Sequence, residues 1–235
     1  MNGFDTTILH FLNGFARRSV PVDEAIWPLS HNVLILGGFV FLLFWYIWFE
    51  SNDRNTSSEK REILLFGLIA TVASLVAARI LARGLPFRVR PLHNPDLHFV
   101  IPYGADPGSL MGWSSFPSDH AAVFFCLAVT LLLVSRPLGI LALCHALFAV
   151  CLPRVYLGIH YPTDILAGAL LGTGVACLCQ LKGLRRFVTE RPLHYMETRA
   201  DAFYAILFIS TFELAELFDS VRHIAERGLR IAGVL

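Results

Sequence analysis

The stretch ILLFGLIATVASLVAARILA, residues 63–82, is predominantly apolar over 20 residues. A bilayer's hydrocarbon core is crossed by about 20 such residues wound as a helix. Residues 33–49 and 165–181 are comparable runs. Residues 121–134 and 138–152 are shorter, and one polar turn, Ser135-Arg136-Pro137, separates them, which reads as a helical hairpin. Segment 165–181 carries Ala167, Gly168, Ala169, Gly172 and Gly174, small residues that let membrane helices approach closely. The pattern predicts an all-α fold, a polytopic membrane bundle of five or six transmembrane helices.

Composition agrees. The 235 residues are 55% hydrophobic and only 16% charged, with a mean hydropathy of +0.60. A soluble domain carries about a quarter charged residues. The net charge of +1, with no basic patch, gives no footing for nucleic acid. Cys126, Cys144, Cys151, Cys177 and Cys179 sit in or beside apolar runs without zinc-ligand spacing, so they read as small packing residues. Asp5 stands where a cleavable signal peptide would be basic, so targeting is expected to rest on the first span.

Three regions follow from this. Residues 1–32 are expected to form an N-terminal interfacial segment, because the apolar stretch 4–15 is too short to span. Residues 33–199 form the transmembrane core, with functional loops at 83–119 and 153–164. Residues 200–235 form either an amphipathic helix or a sixth transmembrane helix. Residues 202–218 are long enough to cross but contain Glu213 and Glu216, and these align with Ser220, His223, Arg227 and Arg230 on one helical stripe. Both readings stay open.

With five spans, loops 83–119 and 153–164 share one side. Arg54, Lys60, Arg61, Arg136, Lys182, Arg185, Arg186, Arg191 and Arg199, nine basic residues, fall on the other. The loop side has six: Arg17, Arg18, Arg83, Arg88, Arg90 and Arg154. Positive charge favours the cytoplasmic side. The protein is therefore expected in the cell (inner) membrane, with both loops facing outward.

Polar residues gather at three span ends on that face: Arg83 to Pro91; Phe116-Pro117-Ser118-Asp119-His120; and Pro153 to Asp164. Guanidiniums bind phosphate oxygens through paired, planar hydrogen bonds. Ser118 and the exposed amides at the start of a helix add donors and a favourable dipole. A neutral imidazole can attack phosphorus, and a carboxylate on its far nitrogen fixes the tautomer; His160 and Asp164 are four residues apart. A second imidazole, His120, can protonate a leaving oxygen. Arg88 reads as a supporting residue, His93 and His98 as solvated loop residues, and His145 as a buried, hydrogen-bonded histidine within a span.

These groups resemble the three motifs of the type 2 phosphatidic acid phosphatase superfamily: Lys-x6-Arg-Pro, Pro-Ser-Gly-His and Ser-Arg-x5-His-x3-Asp. Here they stand as Arg83-x6-Arg90-Pro91, Pro117-Ser118-Asp119-His120 and Pro153-Arg154-x5-His160-x3-Asp164. Order and spacing agree, with arginine for lysine, aspartate for glycine and proline for serine. The resemblance implies a lipid phosphatase in which His160 is the nucleophile, Asp164 orients it and His120 is the general acid. Arg83, Arg90, Arg154 and Ser118 would hold the phosphoryl oxygens, with Asp119 beside them. It implies no cofactor and no metal. The Pro-Ser-Asp-His form resembles bacterial undecaprenyl diphosphate phosphatases of the bacitracin-resistance type, so a polyprenyl (undecaprenyl) diphosphate, hydrolysed to the monophosphate, is the first expectation. Alternatives are a phosphatidate, phosphatidylglycerophosphate or lipid A phosphatase or phosphotransferase, and a non-catalytic lipid-phosphate binder or carrier. The related haloperoxidases are largely soluble, unlike this chain.

Overall fold

A computed structural model describes residues 2–50 and 54–231. Residues 232–235 of the expected C-terminal helix lie outside the described residues. Among the described residues every regular element is helical. Three helices among the described residues are long and apolar enough to cross a membrane by themselves: Ser57–Gly84, Arg136–Tyr156 and Pro162–Gln180. A fourth candidate is a bent pair, α2 (Val20–His31) followed by Leu34–Phe49, with a 68° angle between its halves. Five or six crossings were expected. The two other apolar helices, α5 (Asp119–Val134) and α10 (Ala200–Ala215), have 16 residues each. At 1.5 Å per residue each spans about 24 Å, short of a roughly 30 Å core.

The core is built around α5. It packs against α4 (Arg54–Gly84) and α8 (Pro162–Cys177), and its burial is nearly complete from Ala121 to Leu131. The small residues of α8 make this contact possible. A Cβ on Gly168 would stand 2.2 Å from the Ser118 carbonyl oxygen, and one on Gly172 would stand 2.1 Å from that of Ala122. Large apolar side chains on the outer faces, such as Leu42, Ile80, Phe148, Leu170 and Phe208, remain exposed, as helices turned toward lipid require.

The fourth apolar run continues further than its hydropathy suggests. α6 (Arg136–His145), a π-helical stretch (Ala146–Cys151) and α7 (Leu152–Tyr156) form one continuous helix. Pro153 ends most helices because it lacks an N–H and its ring crowds the preceding turn. Here the wider π turn leads directly into it. Arg154 therefore sits in the last turn of a helix, not in a loop.

At the C-terminal end, α9 (Lys182–Thr198) is tied to α4 by Arg185, which donates to Glu62 at 2.9 Å. α10 then runs back along α3 (Phe39–Phe49). Phe203 stacks on Trp48 near one end, and Ala215 packs against Gly37 beyond the other. The expected single stripe from Glu213 to Arg230 is broken. Leu217 (φ 52°) and Phe218 (φ 61°) adopt left-handed backbone conformations, and α11 (Asp219–Ile231) starts in a new direction. The N-terminal α1 (Gly3–Asn13) docks on α7 and α8. Asn13 exchanges two hydrogen bonds with the backbone of Val100, at 2.7 and 2.9 Å.

The cysteines are free; Cys126, Cys151 and Cys179 are buried and Cys144 and Cys177 exposed. His145 is half-buried, with Nε2 2.7 Å from the Ile35 carbonyl.

Candidate active site

The ends of α4, α5 and α7, the loop after α4 and the α10–α11 turn enclose a cavity of about 920 Å³. Arg83, Arg90, Arg154, His120, His160 and Asp119 all line it. Six of the eight residues singled out by sequence thus meet in one space. The other two, Ser118 and Asp164, are fully buried behind the wall.

His160 follows the turn after α7, and Tyr161 and Pro162 begin α8. Proline suits the first helical position, where no intrahelical partner is lost. The Asp164 carboxylate reaches back, and its Oδ2 accepts from the Tyr161 N–H at 2.8 Å. His160 Nδ1 lies 2.8 Å from the Ser115 carbonyl oxygen. A carbonyl only accepts, so Nδ1 carries the proton and Nε2 the lone pair. Asp164 Oδ2 is further away, 3.6 Å from Nδ1. The nearer partner of Nδ1 is thus a backbone carbonyl, which sequence cannot show, with Asp164 behind it. Asp164 sits close enough to stabilise positive charge on the ring. Burial, first of all, holds the His160 pKa below its ordinary 6.5, Arg90 pushes the same way, and Asp164 opposes them.

His120 is the second residue of α5. Its Nδ1 lies 3.0 Å from Asp119 Oδ1, which also accepts the His120 backbone N–H at 2.8 Å. A carboxylate accepts, so this Nδ1 also bears hydrogen. Asp119 thus holds His120 as well as facing the cavity. Ser118 is the N-cap of α5: its hydroxyl accepts from the Ala121 N–H at 3.3 Å and stays off the cavity wall. The structure does not bring that hydroxyl to the phosphate space.

Arg90 donates to the carbonyls of Trp113 (3.2 Å), Ile159 (2.7 Å) and Ser114 (3.1 Å). A guanidinium has five N–H bonds, so two remain for a ligand. Arg154 donates to Val150 and Ser30 carbonyls at 2.8 and 3.1 Å, which leaves three. Both are buried and rigidly held, whereas Arg83 is exposed at the rim.

Sequence reasoning missed several residues. Arg79, one helical turn before Arg83, lines the cavity, donates to the Leu217 carbonyl at 2.9 Å and lies 3.9 Å from Asp119. A charge inside an apolar run is itself a signal. Glu216, Asp219, Arg222 and His223 form a wall whose position depends on the α10–α11 turn. Arg88, expected from sequence as a supporting residue, lies behind the cavity wall, where it donates to Asp164 Oδ1 at 2.5 Å and to Asp5 at 2.7 Å. His93 is not merely solvated, since its Nε2 lies 2.9 Å from the Ser109 carbonyl.

Two imidazoles with pinned Nδ1 atoms, facing a cavity lined by five arginines, suit transfer of a phosphoryl group. Comparison with known proteins agrees. The PAP2 superfamily model matches residues 85–186. The bacitracin transport permease protein BcrC of Bacillus licheniformis is 26% identical over 163 residues, 69% of this chain and 72% of that protein. The undecaprenyl-diphosphatase BcrC of Bacillus subtilis is 24% identical over 164 residues, 70% and 76% of the two chains. An undecaprenyl-diphosphatase of Sulfolobus acidocaldarius is 45% identical over 112 residues, 47% of this chain and 48% of that one. No solved structure matches the chain.

Proposed function

We propose that the chain, whose residues 85–186 match the PAP2 superfamily model, is a membrane phosphatase that hydrolyses a polyprenyl diphosphate to the monophosphate through a phosphohistidine. The observation that carries the mechanism is the pair of imidazoles, His160 and His120, each with Nδ1 bonded to an oxygen and each on the cavity wall.

In this reading His160 Nε2 attacks the terminal phosphorus. The bond from phosphorus to the bridging oxygen breaks, and His120, protonated on Nε2, delivers that proton to the departing lipid phosphate. Positive charge gathers on the His160 ring, where Asp164 offsets it. Arg90, Arg154 and Arg83 hold the equatorial oxygens, whose charge rises in the transition state. Water then attacks the phosphohistidine, gives its proton to His120, and releases inorganic phosphate. The apolar part of the lining, including Val33, Leu36, Ala78, Ala82 and Phe87, suits the first isoprene units while the chain stays in the bilayer. With α5 counted as a fifth crossing, the distribution of basic residues favours a cavity on the extracytoplasmic side.

The substrate class is tested by phosphate release from detergent-purified protein, with undecaprenyl diphosphate, phosphatidate and lipid A side by side, in EDTA. Fastest turnover of the polyprenyl diphosphate is expected. Preference for another lipid would overturn the substrate assignment, and release abolished by EDTA would overturn the mechanism.

A further inference from the structure

The network behind His160 extends to the N-terminal helix. Asp5 of α1 is fully buried. Its Oδ1 accepts from the Thr163 N–H at 2.9 Å, and its Oδ2 accepts from the Thr163 hydroxyl at 2.8 Å and from Arg88 at 2.7 Å. Arg88 also donates to the Thr163 hydroxyl at 2.8 Å and to Asp164 at 2.5 Å. Its guanidinium lies 4.0 Å over the Tyr161 ring. One guanidinium is thus shared between two buried carboxylates, one of which stands beside the His160 ring. Neither Asp5 nor Arg88 lines the cavity, so neither is placed to touch substrate.

We propose that Asp5 and Arg88 are a pair of positioning residues that set how strongly Asp164 acts on His160. The proposal rests on His160 being the nucleophile. The charges explain the arrangement. Arg88 orients Asp164, but alone it would cancel the carboxylate's charge. Asp5 neutralises Arg88 in turn, so the pair sums to zero and Asp164 keeps its full effect on the imidazole. Asp5 lies outside the matched residues 85–186 and Arg88 inside them, so the N-terminal helix supplies one half of the pair. The other charged and titratable groups around His160 are Arg90 and Tyr161 from the flanking loops, Asp119 and His120 from α5, and Arg154 from α7. They are the same in every variant below.

The test is the pH dependence of kcat/KM for phosphate release, whose acid limb reports the base form of the nucleophile in the free enzyme. Asp5→Asn leaves Arg88 uncompensated, disfavours the imidazolium and moves the limb to lower pH. Arg88→Gln leaves Asp5 uncompensated and moves it to higher pH. Each shift is expected on the order of half a unit, since the charges act through Asp164 and not by direct contact. The double variant restores the zero sum, so its limb returns close to that of the parent. Arg88→Lys keeps the charge and should not move the limb. If Asp5→Asn does not fold, the contrast between Arg88→Gln and Arg88→Lys still decides. Shifts in the same direction, or no shift, in variants that still form a phosphoenzyme would overturn the proposal. A parent protein that forms no phosphoenzyme on His160 would instead overturn the reading on which it rests.

Discussion

Replacing Asp164 by asparagine separates two functions that a carboxylate beside a histidine usually combines. In serine-protease triads the equivalent change costs about 10⁴ in rate because the imidazole takes the wrong tautomer. Here the Ser115 carbonyl holds the Nδ1 proton at 2.8 Å, and that bond survives the substitution. What is lost is the negative charge 3.6 Å from Nδ1. Unit charges about 4 Å apart interact by about 4 kcal/mol at an effective dielectric constant of about 20. Arg88, 2.5 Å from the other oxygen of the same carboxylate, offsets part of that. A net loss of about 2–4 kcal/mol corresponds to a fall of about 30- to 1,000-fold in rate. The assay is phosphoenzyme formation in a single turnover, with thermal unfolding in the same detergent as a control. Asparagine cannot accept from both the Tyr161 N–H and Arg88, so a stability loss of about 1–3 kcal/mol accompanies it. A fall of 10⁴ or more in folded protein would show that Asp164, not Ser115, sets the tautomer. An unchanged rate would show that the carboxylate does not stabilise the phosphorylated ring.

Three further outcomes are expected. Burial lowers the His160 pKa below 6.5, so the acid limb of kcat/KM, where protonation removes the nucleophile's lone pair, should lie below that value; an acid limb above pH 6.5 would contradict the burial argument. His120→Ala should slow release of a polyprenyl phosphate by about 10²–10⁴ but have far less effect with an aryl phosphate, whose leaving group needs no proton; equal losses would remove the general-acid role. Gly168→Ala forces a methyl to 2.2 Å from the Ser118 carbonyl and should destabilise the fold by about 1–3 kcal/mol in thermal unfolding, while an unchanged midpoint would contradict the close α5–α8 contact.

Apolar runs of span length and three polar clusters made the helical architecture and six cavity residues legible. Spacing within one helix end is local, so His160 and Asp164 could be paired from sequence alone. What escaped depends on long-range geometry. The Asp5–Arg88 pair joins residues 83 apart, and the partner of His160 Nδ1 is a backbone carbonyl with no side-chain signature. Ser118 looked like a phosphate ligand because its residue type suits one, but it is buried off the cavity wall, where its oxygen caps α5. Arg154 looked like a loop residue because the apolar run 138–152 ends before it, and the π turn through which the helix continues to Tyr156 is not written in hydropathy. The wall from Glu216 to His223 followed from a break at Leu217 and Phe218, two apolar residues that do not ordinarily mark a turn.

The central claim is a covalent bond from phosphorus to His160, and trapping that bond tests it most directly. Purified protein would be mixed with polyprenyl diphosphate labelled on its terminal phosphorus, quenched in alkali within one turnover, digested, and the labelled peptide sequenced by mass spectrometry. The account predicts label on His160, stable in alkali and lost in acid, and absent from His160→Ala. Label on another residue, or turnover that persists in His160→Ala, would contradict it.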